Sequence, residues 1–74
     1  MKEGELAVLR AALGIQKQGD QSTQNYYTSE PGHVRHGDVQ NLVNSGHMQM
    51  FELIGNSLNV YACTEDGREA AEWV

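Results

Sequence analysis

The sequence predicts a small α+β domain in the order helix, polar segment, short helix, β-hairpin, helix. Three observations carry that expectation. Leu6, Leu9 and Leu13 recur at spacings of three and four and stop at Gly14, which is one face of an amphipathic helix. MQMFELI and LNVYACT flank GNS, which reads as two strands around a tight turn. TEDGREAA then opens with a hydroxyl and two acids, the signature of a capped helix start. At 74 residues the chain is one domain, expected over 1–74.

The first helix is expected over Glu3 to Leu13, with Leu6, Ala7, Leu9 and Leu13 inward and Val8 and Ala12 widening that face. Glu3 and Glu5 suit its positive end, and Arg10 lies further along, as the macrodipole prefers. Gly14 ends it, and Ile15 is expected to tuck back onto the core. Residues 16–32, QKQGDQSTQNYYTSEPG, are polar apart from Tyr26 and Tyr27. A stretch of that length is long for so small a domain; the tyrosines either order part of it or leave it a functional segment. Ser22 to Tyr27 suits a short helical turn, and Pro31-Gly32 reads as a turn.

A second, short helix is expected over Gly37 to Asn44, with Asp38 as N-cap, Val39, Leu42 and Val43 inward and Gly46 as the stop. The hairpin follows, with Gly55-Asn56 at its turn. In its second strand Asn59, Tyr61 and Cys63 share one face and Leu58, Val60 and Ala62 the other; alternation does not say which is inner. Thr64 caps the last helix. Gly67, costly within a helix, implies close packing against the hairpin or the first helix. Ala70, Ala71, Trp73 and Val74 form an apolar stripe facing the first helix, and Glu65, Glu69 and Glu72 an acidic face.

Ten acidic residues against five basic ones give a net charge of −5. Nucleic-acid binders draw much of their affinity from phosphate neutralisation, so this balance disfavours DNA without forbidding a local basic patch. One cysteine, Cys63, allows no internal disulfide and fits a reducing cytoplasm. The opening MKEGELAVLRAALGI is too short in its apolar run and too charged for a signal peptide, and no stretch has the length of a membrane span. A cytoplasmic protein without a membrane partner is the expectation. A homodimer would relieve the small core.

The segment DVQNLVNSGHMQMFELIGNSLNVYACTEDGREAA resembles the winged part of regulators of the multiple-antibiotic-resistance type. Leu42, Gly46 and Met48 match a helix ending L-x-x-x-G-x-M. Thr64 and Gly67 match the T-x-x-G that follows the wing, with Cys63 where leucine or valine is usual. The whole chain looks still more like small uncharacterised bacteriophage and prophage proteins, through Leu9–Gly14 (LRAALG), Gln24–Tyr27, Pro31–His33, Leu42–Met48 and Thr64–Ala71. The resemblance implies a winged-helix-like scaffold, in which the helix before the hairpin reads the major groove and the hairpin is the wing. If the chain is phage-encoded, it implies a host cytoplasm. The pattern departs where DNA chemistry would sit. The expected reading helix has no lysine or arginine, its wing GNSLN has no basic tip, and the helix that should precede it is weak or missing.

Two functional readings follow. The first is an accessory protein that binds a host or phage protein, itself a candidate nucleic-acid binder, through Tyr26, Tyr27, Glu65, Glu69 and Glu72. Tyrosines anchor interfaces, and an acidic face attracts a basic partner. The plainer readings are that one tyrosine pins the loop to the core and that the acids are solvated. The second is a DNA-binding accessory or regulator using Arg10, Arg35, Gln40 and Asn41, of which the two amides suit adenine. In HVRH, Arg35 with His33 and His36 is the most electropositive stretch, or simply a solvated lead-in to a helix.

His33, His36, His47 and Cys63 lack the paired spacing of a zinc site, and Cys63 reads as a small core residue. No nucleophile elbow, acid–base constellation or Gly-rich phosphate loop is present. No catalytic residue, metal or cofactor is therefore expected.

Overall fold

The computed structural model describes residues 1–54 and 58–72, with side chains described for 1–51 and 59–72. Glu3–Leu13 forms helix α1, with Glu3 and Glu5 in its first turn and Arg10 in its last. Val8, Leu9, Ala12 and Leu13 are its buried residues. The inward stripe is therefore rotated from the expected one. Ala7 is exposed and Leu6 half-buried, because Val8 and Ala12, not Ala7, lie beside Leu9 on the face that meets the sheet.

α1 ends on Gly14, at φ 74°, a left-handed angle that glycine adopts without Cβ strain. The Ile15 N–H donates to the Arg10 carbonyl at 2.9 Å and the Gly14 N–H to Ala11 at 3.2 Å, the paired bonds of a Schellman stop. The last turn of a helix leaves carbonyls without intrahelical partners. Here the polar segment supplies them. The Tyr26 N–H donates to Ala12 at 3.0 Å and the Thr23 N–H to Leu13 at 3.2 Å. The Gln24 side chain reaches Ala11 at 3.4 Å.

That return leaves no helical turn at Ser22–Tyr27. Instead Tyr27–Ser29 forms strand β1, an element not expected from the sequence. Thr23 and Tyr26 direct their N–H groups at α1, and Asn25 bridges to the sheet. The chain between them is held extended, where tyrosine and threonine fit well.

Helix α2 spans His36–Asn44, with Arg35 at the cap position and no side-chain cap. Asp38 is thus not the N-cap. It lies in the first turn, its carboxylate turned to Arg35 at 3.5 Å. Val39 and Leu42 are buried and Val43 packs against them. A second Schellman stop closes α2. Gly46 sits at φ 83°, its N–H donating to Val43 at 3.2 Å, and the His47 N–H donates to Leu42 at 2.9 Å.

Strands β2 (Met48–Ile54) and β3 (Leu58–Cys63) pair antiparallel. The expected Gly55-Asn56 turn lies outside the described residues. β1 pairs with the other side of β3, so the sheet has three strands in the order β1-β3-β2. Register runs Met48↔Cys63 to Met50↔Tyr61 and Tyr27↔Tyr61 to Ser29↔Asn59. This settles the inner face. Tyr61 and Cys63 are buried with Met48, and the ladder sets Tyr27 on the same side. The β2 ladder shifts between Met50 and Glu52, which makes Phe51 the extra residue of a bulge.

Helix α3, Glu65–Ala70, starts at Thr64, whose hydroxyl accepts from the Gly67 N–H at 3.2 Å. The same hydroxyl donates to the Gly46 carbonyl at 2.6 Å, and the Thr64 N–H donates to His47 at 3.0 Å. A Cβ on Gly67 would collide with the His47 carbonyl oxygen. The close packing that Gly67 implied is therefore against the entry to β2. Ala71 is buried in the core and Ala70 packs against it; Trp73 and Val74 lie outside the described residues. The core sits between α1 and the inner face of the sheet, with α2 and α3 closing it on either side.

Candidate interaction surfaces

The tyrosine pair divides. Tyr26 is 54% exposed, whereas Tyr27 packs against the core and meets the His33 ring edge-on at 6.2 Å. Consecutive residues of an extended chain point to opposite sides, so one residue faces solvent and its neighbour pins the segment. Asn25, just before them, is the segment's main tether. Its amide donates to the Cys63 carbonyl at 3.2 Å and accepts from the Cys63 N–H at 2.8 Å. A side-chain amide here imitates a peptide group and extends the β1–β3 ladder by one rung.

Glu65, Asp66 and Glu69 on α3, and Glu72 just beyond its end, are all exposed. The terminal end of this helix is joined to α1 by Arg10, whose Nε donates to the Ala71 carbonyl at 3.0 Å and whose guanidinium reaches the Glu72 carbonyl at 3.5 Å. A cation at a helix C-terminus satisfies carbonyls that have no intrahelical donor.

The four residues offered to DNA do not form one surface. Arg10 is committed to the end of α3. Arg35 lies beside Asp38 and the first turn of α1, where a Cβ on Gly4 would meet both side chains. Asn41 donates to Glu5 of α1 at 3.3 Å. The Gln40 amide N–H points at Nε2 of His36 at 3.3 Å. Nδ1 of the same ring lies 2.8 Å from Ser29 Oγ, with the hydroxyl and the ring nitrogen as hydrogen-bond partners whose roles follow the tautomer. Ser29 is fully buried, and this bond ties β1 to α2. The serine has a histidine at hydrogen-bond distance but no access to a substrate.

The metal-ligating residue types are dispersed. His36 faces Ser29, His47 Nδ1 lies 2.6 Å from Ser45 Oγ, and the Cys63 thiol points at the Leu9 carbonyl at 3.8 Å. Among the described residues no group of three or more His, Cys, Asp or Glu could hold a metal ion. Burial pushes the Cys63 thiol up to about 11 from an ordinary 9.0, opposed by the nearby Arg68 cation. It is an inert core thiol at neutral pH.

Two surface features were not anticipated from the sequence. Met50 and Phe51 are 57% and 71% exposed beside the β2 bulge; the alternation of MQMFELI gave no sign of a bulge. The second is an open groove of about 710 Å³ along the outer side of α1, reaching Gln16, Thr23 and Gln24. Its signal was available in part, since Leu6, Ala7 and Ala11 are more apolar residues than one buried face of α1 can use. No helix among the described residues is long and apolar enough to cross a membrane. Comparison with protein-family models, with curated proteins and with solved structures finds no match.

Proposed function

We propose that the chain is a small, non-catalytic accessory protein of phage type that binds another protein through a winged-helix-like scaffold. The observation that carries this reading is how the charges are arranged. The acids of α3 stand exposed on a helix fixed at both ends, by Thr64 and by Arg10. Of the arginines that a DNA reading needs, Arg10 is bound to the Ala71 carbonyl at the end of α3, and Arg35 stands exposed beside the Asp38 carboxylate. A chain of net charge −5 whose Arg10 is so bound and whose Arg35 lies beside a carboxylate favours a basic protein partner over a phosphate backbone. The scaffold part of the reading rests on α2 leading directly into the β2–β3 hairpin, as the reading helix leads into the wing. Between β1 and α2 the described residues form turns only, so the first helix of a helix-turn-helix pair is not there to support DNA reading.

Affinity capture from host lysate, with and without nuclease, tests the proposal. Nuclease-resistant capture of one partner, lost in a Glu65→Lys, Glu69→Lys, Glu72→Lys variant, is the expected result. Binding of duplex DNA at low salt, falling steeply as salt rises, would overturn it in favour of the DNA-binding reading.

A further inference from the structure

Among the described residues, the core is built from α1, α2, β2, β3 and Ala71, and none of its members lies between Gly14 and Asp38. β1 and the chain leading into it are therefore laid on a core that closes without them. Of residues 23–29 only Tyr27 packs against that core, and it is half-buried. Ser29, the fully buried residue of this stretch, is polar. The rest of the fold has its own fastenings. β2 pairs with β3 along its length, Thr64 joins α2 to α3, and Arg10 joins α1 to the end of α3.

Residues 23–29 are held mainly by hydrogen bonds. Thr23, Gln24 and Tyr26 reach the last carbonyls of α1. Asn25 grips both backbone groups of Cys63. Ser29 Oγ meets His36 Nδ1, and β1 pairs with β3 over three residues only. A hydrogen bond that replaces one to water gives a modest net gain, whereas apolar burial is the dominant favourable term in folding. Segments with few buried apolar contacts open at the lowest free energies. The stretch is also bracketed by two glycines in the left-handed region, Gly19 at φ 93° and Gly32 at φ 96°. Nothing stands within 4 Å of where a side chain would be at either. Both have the backbone freedom and the space that a hinge needs.

We propose that residues 23–29 are a strap that releases as a unit, turning on Gly19 and Gly32, while α1, α2, the β2–β3 hairpin and α3 stay folded. Closed, the strap is the third strand of the sheet. Released, it bares the edge of β3 and the carbonyls of Ala11, Ala12 and Leu13. An uncovered edge presents unpaired N–H and C=O groups, so the strap governs when that edge is accessible. The device goes beyond the protein-binding reading and holds whichever partner the protein takes.

Hydrogen exchange of the whole native chain, followed amide by amide in urea below the unfolding midpoint, tests it. Thr23 and Tyr26 N–H report on the strap, and so does Cys63 N–H, which Asn25 holds. Leu9 N–H in α1 and His47 N–H, bonded to Leu42, report on the core. The strap amides should be at least about tenfold less protected than the core amides and respond less steeply to urea, because their opening exposes less surface. Cys63 separates the two events within one residue. Its N–H should exchange with the strap, while its thiol, turned inward to the Leu9 carbonyl, should react with iodoacetamide only as fast as the core opens. Thr64→Val, which loosens the α2–α3 junction, should speed the core amides about tenfold and leave Thr23 and Tyr26 N–H unchanged. Equal protection and equal urea slopes for strap and core amides in the wild type would overturn the proposal, and that comparison decides even where the variant does not fold. Equal acceleration of both sets by Thr64→Val, or Cys63 N–H exchanging with the core set, would overturn it as well.

Discussion

α1 and α2 stop in the same way and are sealed differently. Both end on a left-handed glycine, Gly14 or Gly46, with the same pair of backbone bonds. After Gly46 the chain turns at once into β2, and one hydroxyl, that of Thr64, joins the end of α2 to the start of α3. After Gly14 the chain runs on for eight residues and returns to seal α1 with Thr23, Gln24 and Tyr26, while Asn25 fastens it to Cys63 of β3. The first junction is built by residues adjacent to regular elements. The second is built by a strap of polar side chains and backbone N–H groups with no periodicity. Identical helix stops therefore say nothing about how the remaining carbonyls will be satisfied.

The most severe way to break the Gly46 junction is Gly67→Ala. The new methyl meets backbone at His47, which cannot swing aside, so the expected loss is about 4 kcal/mol, at the upper end for a point change. A urea melt in which Gly67→Ala matched the wild-type midpoint would remove the close-contact account. The strap is broken most directly at Asn25. Asn25→Ala leaves the Cys63 N–H and carbonyl without their partner, an expected cost of ~2–3 kcal/mol. Asn25→Asp should recover only part of this, since a carboxylate accepts from the N–H but has nothing to donate to the carbonyl.

Thr64→Val should cost ~1–2 kcal/mol through the lost cap, with Thr64→Ser close to wild type; equal melts for all three would show the cap to be idle. Cys63 gives a pH-dependent probe of the same corner of the core. Its folded pKa is raised, so its contribution is fully present below pH 9.0 and is lost as pH rises toward about 11. Iodoacetamide at pH 8 should therefore modify the denatured protein far faster than the folded one. Ala7→Ser is the smallest change. At an exposed position it should move the midpoint by no more than ~0.5 kcal/mol, whereas an inward Ala7 would lose more.

The same contrast explains what could be read from the sequence. The three helices, the hairpin, both glycine stops, the Thr64 cap and the tight packing at Gly67 all rest on local patterns, and those patterns are written in neighbouring residues. β1 was not legible, because YTS is too short to show alternation and its pairing depends on an asparagine that finds Cys63 far along the chain. The N-terminus of α2 was misplaced because Asp38, a good cap by type, has an arginine within reach and takes it instead. Ala7 was placed inward because a stripe drawn through leucines alone ignores Val8 and Ala12. Of the candidate contact residues, the exposure of the α3 acids follows from the helical repeat. The split between Tyr26 and Tyr27 and the commitments of Arg10, Arg35 and Asn41 depend on tertiary neighbours that no local pattern encodes.

The strap also marks where the chain can be lengthened. Ile15 and Thr23 are both fastened to α1, while between them the turn closes on itself, with Asp20 accepting from the N–H groups of Gln16 and Lys17 at 2.9 and 3.0 Å. Nothing stands within 4 Å of where a Gly19 side chain would be. Doubling such a loop costs only ~0.6 kcal/mol in closure entropy. A fluorescent or affinity module inserted after Gly19 should therefore leave Thr23, Asn25 and Tyr26 seated.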